Sequence, residues 1–275
     1  RSSYGLGEVI KAALDNHTEH LVISLGGIGS FDGGAGMLQA LGATFYDDEA
    51  QIVDMRKGAD LIKYIRRIDL SGVHPQLAKV NIQLMSDFSS RLYGKKSEIM
   101  QTYESLELSQ NEAAEIDNLI WYFSELFKNE LKIAMGPIER GGAGGGIAAV
   151  LNSLYQAEIL TSHELVNQIT HLENLIQQAD LIIFGEGLKE EDQILETTTI
   201  RIAELTQQYS KPAIAICATN DKFDLFESLN VTAMFNTFID MPDSYTDFKM
   251  GIQIRHYTVQ ALKLLKTQIN LPLSS

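Results

Sequence analysis

A glycine-rich segment at residues 26–36 has the composition of an anion-binding loop. It reads GGIGSFDGGAG and carries a single charge, Asp32. An apolar run at 21–25 precedes it and predicts a buried strand, and an apolar run at 37–41 follows it and predicts a helix. Such a loop leaves backbone N–H groups accessible at a helix N-terminus, where an anion is favoured. A tight turn that needs glycine for positive φ angles has the same composition, so the segment alone leaves both interpretations open.

Ser30 and Asp32 add side-chain chemistry to this first glycine loop. Phosphoryl transfer requires amide dipoles for phosphate oxygens, and a carboxylate that binds Mg²⁺ or takes the proton of the attacking hydroxyl. The segment fits neither the G-x-G-x-x-G dinucleotide pattern nor the G-x-x-x-x-G-K-[ST] phosphate loop. Asp32 is therefore the candidate catalytic residue, and the candidate substrate- or phosphate-binding residues of this loop are Gly26, Gly27, Ser30 and Gly33.

A second glycine cluster, residues 141–146, also precedes an apolar run that predicts a helix. Arg140 stands directly before it, and a guanidinium beside bare amides suits a carboxylate or a phosphate. Arg140, Gly142, Gly144 and Gly145 are therefore candidate binding residues. An exposed arginine in a flexible linker explains the same residues, and this alternative stays open.

Residues 185–187 read Gly-Glu-Gly at the end of an apolar run that predicts a parallel strand. Ligands of open α/β sheets bind at the carboxyl ends of strands. Glu186 is therefore a candidate metal ligand.

Composition limits the class of partner and the location. The net charge of −14 over 275 residues argues against nucleic acid and anionic membrane, because both require a basic face. The single cysteine, Cys217, excludes an internal disulfide, and its apolar neighbours predict a buried thiol in a reducing cytoplasm. No apolar run is long enough to span a bilayer, and no signal sequence is evident. The sequence leaves the oligomeric state open.

Apolar runs alternate with amphipathic segments, which predicts an α/β fold with parallel strands. Residues 109–112 read Ser-Gln-Asn-Glu and predict a capping box that begins a long helix. Residues 161–164 predict a second one, with a helix running to about 178, and we expect a domain boundary near that point.

Six segments, taken together and in order, resemble the bacterial class I type of the glycerate kinase family. Residues 3–8 read SYGLGE where the family has SYGTGE, and residues 69–72 read DLSG as in the family. Both glycine loops are similar to family loops. The remaining matches are residues 37–42 and residues 179–187, the latter similar to the family's A-D-L-V-I-T-G-E-G.

The resemblance implies ATP-dependent phosphorylation of D-glycerate or a related hydroxy acid, with Mg²⁺. It also implies two domains: an inserted α/β domain over residues 1–178, and the C-terminal half of a discontinuous Rossmann-like domain over residues 179–275. Asp32 would orient or deprotonate the substrate hydroxyl, and Glu186 would lie near Mg²⁺. The partners would be a small hydroxy acid and a nucleotide.

Several positions depart from the family pattern. The family carries a further N-terminal segment that this sequence lacks. Ile28 and Phe31 stand where the family has serine and asparagine, and Leu188 and Thr197 stand where it has arginine and lysine. Loss of cationic contacts weakens anion binding. A divergent, non-catalytic paralogue that senses a sugar acid or a nucleotide is therefore the alternative function.

Overall fold

The structure is a computed structural model in which the chain forms two compact units, Arg1–Ser162 and His163–Ser275. It describes residues 1–27, 29–87, 89–186, 198–218, 223–236 and 247–268. Within these ranges the side chains of residues 186, 247–250 and 264–268 are not described. The predictions for Ile28, Gly187, Leu188 and Thr197 therefore lie outside the described residues. The assignment of an inserted and a discontinuous domain stays a prediction.

The first unit is built on a parallel sheet in the order β1–β4–β5. Ile23 of β1 lies opposite Leu84 of β4, which lies opposite Ile159 of β5. A separate antiparallel pair, β2–β3, has Phe45 opposite Ile68. The strands are β1 (His20–Ser24), β2 (Thr44–Tyr46), β3 (Arg67–Asp69), β4 (Asn81–Met85) and β5 (Glu158–Leu160).

Among the described residues of this unit there are five α-helices, together with short 3₁₀ turns between residues 55 and 78. Phe123 on the fourth helix packs edge-to-face against Phe45 at 5.9 Å and against Phe127 at 4.9 Å. These rings belong to one buried apolar cluster, so this unit has its own core. The helices are α1 (Tyr4–Asp15), α2 (Ala35–Ala40), α3 (Glu98–Thr102), α4 (Gln110–Leu131) and α5 (Ile147–Tyr155).

The predicted capping box at the start of α4 is confirmed. The Ser109 hydroxyl accepts the amide of Glu112, and the Glu112 carboxylate accepts the amide of Ser109 at 2.8 Å. These bonds satisfy N–H groups that the first turn would otherwise leave unpaired.

The second unit contains a parallel sheet in the order β6–β7–β8. All five residues of β7 are buried, as expected for a strand covered on both faces, and Cys217 at its end is a buried free thiol. Phe184 and Phe226 pack edge-to-face at 5.4 Å in the core of this unit. Its elements are α6 (Ser162–Thr170), α7 (Leu172–Gln178), β6 (Ile182–Glu186), α8 (Thr198–Gln208), β7 (Ala213–Cys217), α9 (Phe223–Ser228), β8 (Ala233–Asn236) and α10 (Asp247–Gln268).

The predicted α/β fold with parallel strands is confirmed, and one helix prediction is wrong. The segment expected as a single helix to about 178 is two helices, because His171 adopts a left-handed conformation with φ 53°. The Asn167 side chain accepts the amide of Glu173, which lies in the first turn of α7. Among the described helices, none is long and apolar enough to cross a membrane.

Candidate active site

The two glycine loops meet each other beside the β1–β4–β5 sheet. The first loop follows the carboxyl end of β1, and the amide of Gly33 donates to the carbonyl of Gly145 in the second loop at 2.9 Å. A Cβ atom on Gly145 would overlap the carbonyl oxygen of Ser30, and one on Gly146 would lie 2.8 Å from the Cα of Gly33. Glycine is required here because the two backbones are in direct contact.

The start of the first loop is open. Gly26 and Gly27 are exposed, and a Cβ atom built on either meets nothing within 4 Å. Within the described part of the chain, the amides of Gly26, Gly27 and Ser30 have no hydrogen-bond acceptor. Gly27 has φ +72°, a conformation that favours glycine. The amides of Gly26 and Gly27 belong to exposed residues and are accessible to an external anion, whereas Ser30 is buried.

Asp32 is completely buried, and both of its oxygens are engaged by the protein. Its Oδ2 accepts the amide and hydroxyl of Ser3 at 2.8 and 2.9 Å, the amide of Gly36 at 3.1 Å and the hydroxyl of Ser2 at 3.4 Å. Its Oδ1 accepts the amide of Gly34 at 3.1 Å. The carboxylate therefore joins the start of α1 to the start of α2, where it satisfies unpaired helix amides.

The second loop has its amides in use. Gly142 donates to the carbonyl of Ser90 at 3.2 Å, and Gly145 donates to Oε2 of Glu98 at 3.0 Å. The Gly144 amide faces the same carboxylate and stabilises its charged form. Burial raises the pKa of Glu98 to about 7, and the two amides oppose this shift only partly. The loop is buried throughout, so it is a packed element.

Arg140, before the second loop, is half-buried with φ 56° and has an interaction partner. Ser90, against the same loop, is 1% exposed, and its hydroxyl has no hydrogen-bond partner among the described residues. Glu98 was not singled out from the sequence. No local pattern marks it, because its contact with the loop joins segments that are distant in sequence.

A small cavity of about 220 Å³ lies beside the first glycine loop. Gly29 and Phe31 of the loop form one wall, and Phe31 is 8% exposed and also part of the core. Arg1 contributes the charged side chain of the lining. The other lining residues are apolar: Ala59, Leu106, Leu108 and Ile116.

The loop after β4 places another carboxylate at the same edge of the sheet. Asp87 is half-buried, and its Oδ1 accepts the amide of Ser162, just after β5, at 2.7 Å. The amide of Ser86 donates to the carbonyl of Leu160 at 2.8 Å. The carboxyl ends of β4 and β5 are thus joined by these bonds.

Glu186 is the last residue of β6, as the sequence predicts for a residue at the carboxyl end of a strand. Its side chain lies outside the described part of the structure. Among the described residues, no three histidine, cysteine or acidic side chains come together in a group that could hold a metal ion.

The comparisons with known proteins agree on one family. The model of the glycerate kinase family matches residues 1–253. Glycerate kinase from Halalkalibacterium halodurans is 31% identical over 218 residues, which cover 79% of this chain and 57% of that protein. Glycerate 2-kinase from Escherichia coli is 29% identical over 236 residues, covering 86% of this chain and 61% of that protein.

A solved structure gives the same result at the level of fold. The crystal structure of a protein from Salmonella typhimurium LT2, assigned as glycerate kinase 2, has a TM-score of 0.81 and 27% identity. The match covers 98% of this chain and 70% of that one. The chain thus spans about three fifths of the length of the two kinases above. By family model, sequence identity and fold, the chain belongs to the glycerate kinase family.

Proposed function

We propose that this chain takes part in the ATP-dependent phosphorylation of D-glycerate or a closely related hydroxy acid. The observation that carries the proposal is the open start of the first glycine loop, where the amides of Gly26 and Gly27 have no acceptor among the described residues. It stands beside a small cavity in a chain of the glycerate kinase family. Relatives at about 30% identity are named glycerate kinase and glycerate 2-kinase.

The size of the cavity, and Arg1 in its lining, support a small acid as substrate. About 220 Å³ is below the roughly 300–1,000 Å³ of pockets for larger ligands. A carboxylate would bind the open amides and the Arg1 guanidinium through charge-assisted hydrogen bonds. The backbone N–H dipoles and the positive charge of Arg1 would offset the repulsion between an anionic substrate and a chain of net charge −14.

The second glycine loop is the proposed site for phosphate oxygens, with the amides of Gly142, Gly144 and Gly145 and the guanidinium of Arg140. In the structure the amides of Gly142 and Gly145 donate to Ser90 and Glu98, so a phosphate would bind there by replacing these acceptors at the start of α5. The nucleotide would be ATP, and Mg²⁺ would neutralise charge on its phosphates. Glu186, the last residue of β6, is the proposed protein ligand of Mg²⁺, which usually binds one or two carboxylates together with water and phosphate oxygens.

Asp32 keeps the role proposed from its sequence position, which is to orient the substrate hydroxyl or to accept its proton. The bonds to Ser3, Gly34 and Gly36 support an additional role, since they fix the backbone of the loop that would hold the substrate. We also propose a cytoplasmic location, which suits the single buried Cys217.

A coupled assay for ADP release tests the function. The purified chain and the full product of its gene are assayed with ATP, Mg²⁺ and D-glycerate, with L-glycerate, glycolate and lactate as alternative acids. Glycerate-dependent ADP release that requires Mg²⁺ is the expected result for the full product. Calorimetric binding of the acid without turnover by the full product contradicts the kinase proposal and supports a sensor.

A further inference from the structure

The amides at the start of α5 hold a carboxylate that belongs to the chain itself. Glu98 Oε2 accepts the amide of Gly145 at 3.0 Å across a separation of 47 residues, and the amide of Gly144 faces the same carboxylate. Both glycines have φ +64°, and packing against the first loop fixes Gly145. The donors are therefore held in place by the fold, whereas Glu98 reaches them with a flexible side chain.

Two amides at the start of a nine-residue helix form an oxyanion site by their geometry and dipole. Carboxylate and phosphate oxygens use the same donors, so any such ligand competes with Glu98 for them. In the structure the Glu98 carboxylate occupies this oxyanion site.

The neighbouring Ser90 points independently to a ligand. Its hydroxyl is buried and lacks a partner among the described residues, and a Cβ atom on Gly142 would lie 2.8 Å from its Oγ. A buried hydroxyl without a partner is unfavourable by about 1–3 kcal/mol. An oxyanion at the second loop would supply the missing acceptor.

The charges of the adjoining segment have the sign that an anion requires. Residues 91–97, which lead into α3, contain Arg91, Lys95 and Lys96 and no acidic residue. In a chain of net charge −14 this is a local excess of cations. Such a segment raises the local concentration of anions.

We propose that Glu98 is an internal occupant of an oxyanion site, and that a carboxylate or phosphate ligand binds there by displacing it. The inference rests on the proposed function for the ligand class, and adds that the chain itself competes for the site. It predicts weak anion binding while Glu98 is charged and bound, and stronger binding once the carboxylate is neutral or removed.

The proposal implies a pH dependence with a definite sign. Burial raises the pKa of Glu98 to about 7, so the group is largely neutral below pH 7 and charged above it. Charged residues of the adjoining segments are Lys95 and Lys96 before α3, Arg140 before the second loop, and Asp117 of α4, which accepts the amide of Gly94. None of these charges is among the causes of the pKa shift, which are burial and the two amides. Affinity for a ligand of constant charge should fall by up to about tenfold per pH unit above 7.

Selective labelling can observe the site directly. The sequence contains only two alanine–glycine steps, Ala35–Gly36 and Ala143–Gly144. Carbonyl-¹³C alanine combined with ¹⁵N glycine therefore gives two carbonyl-filtered amide signals in the full chain. The Gly144 amide faces Glu98, and the Gly36 amide faces Asp32 and serves as an internal control.

In the wild-type chain, the Gly144 signal should shift with a midpoint near pH 7. In Glu98→Gln, which keeps the shape and loses the charge, that transition should be absent and the Gly36 signal unchanged. Sulfate and D-glycerate, both of constant charge between pH 6 and 8.5, are then titrated as probes. Wild-type affinity should be at least tenfold lower at pH 8.5 than at pH 6, and Glu98→Gln should bind equally at both. Glu115→Gln, at an exposed acid of α4, should behave as wild type.

A Gly144 signal that does not titrate overturns the proposal, and that measurement needs no variant. Equal affinity of wild type and Glu98→Gln at pH 8.5, or no response of Gly144 to either probe in any variant, also overturns it. A response to sulfate alone identifies a phosphate-type site, and a response to D-glycerate alone identifies a carboxylate site; either supports displacement. None of these readouts requires turnover, so an inactive kinase and a failed displacement are distinguishable.

Discussion

At the scale of single residues, carboxylates in this chain are distinguished by what they contact rather than by their type. Asp32 is buried under hydrogen bonds from the starts of two helices, and its removal should affect stability as well as any chemistry. Glu98 is half-buried on two amides and is balanced between its charged and neutral forms. Stability and activity must therefore be measured separately for substitutions at such positions.

Asp32→Asn should destabilise the first unit by about 3 kcal/mol, because the substitution removes the negative charge and places an NH₂ group against other hydrogen-bond donors.

Ser3→Ala, which removes the hydroxyl shared by Asp32 and the Met37 amide, should lower the free energy of unfolding by about 1–2 kcal/mol. Urea denaturation followed by Trp121 fluorescence is specific for this unit, since the chain has one tryptophan.

The matched control is Asp48→Asn, at an exposed aspartate of the same unit, which should change the stability by less than about 0.5 kcal/mol. If Asp32→Asn is as stable as this control, the carboxylate does not hold the loop. A loss of glycerate-dependent turnover at unchanged stability would instead indicate a direct catalytic role.

At the scale of elements, the glycines of the two loops serve two different purposes. Those at 26–27 leave space open, and those at 145–146 allow one backbone to touch another. Composition predicts both loops but not this difference, since each purpose calls for glycine.

Gly145→Ala should lower the free energy of unfolding of the first unit by about 2–4 kcal/mol. The added methyl meets the Ser30 carbonyl and also forces alanine to adopt a positive φ. Gly26→Ala is the comparison, because nothing lies near its Cβ position and its φ is not positive. Equal stability of the two variants in urea would show that the loops do not pack as described.

Apolar runs in the sequence were sufficient to predict β1 and β6, and the Ser-Gln-Asn-Glu pattern was sufficient to predict the capping box at Ser109. They failed at His171, because histidine carries no signal for a left-handed residue within a polar helical pattern. They also missed Glu98 and Asp87, whose partners lie 47 and 75 residues away. A pairing of that kind follows from tertiary packing, which one sequence does not display.

At the scale of the whole molecule, the chain consists of two units with separate cores, and the division falls after Ser162. The family resemblance predicts a boundary near 178, after α7. The two positions differ in whether α6 and α7 belong with the first unit, which is a question that fragments can answer.

A fragment of residues 1–162 should fold on its own, because it contains the larger apolar core and the β1–β4–β5 sheet. A fragment of residues 1–178 should unfold at the same urea concentration by Trp121 fluorescence, since the extra helices would add nothing to the core. If the shorter fragment is unfolded and the longer one is folded, the boundary near 178 is the correct one.

The contact between the two loops also limits how this protein can vary over many generations. Any side chain at 145 or 146 would clash with the main chain of the first loop. A substitution of another side chain cannot relieve this clash, because the clash is with backbone atoms. Drift should therefore spare these two sites and accumulate at open positions such as 26, where an added Cβ atom meets nothing within 4 Å. A library of random substitutions selected only for folding should show that contrast, with 145 and 146 intolerant and 26 permissive.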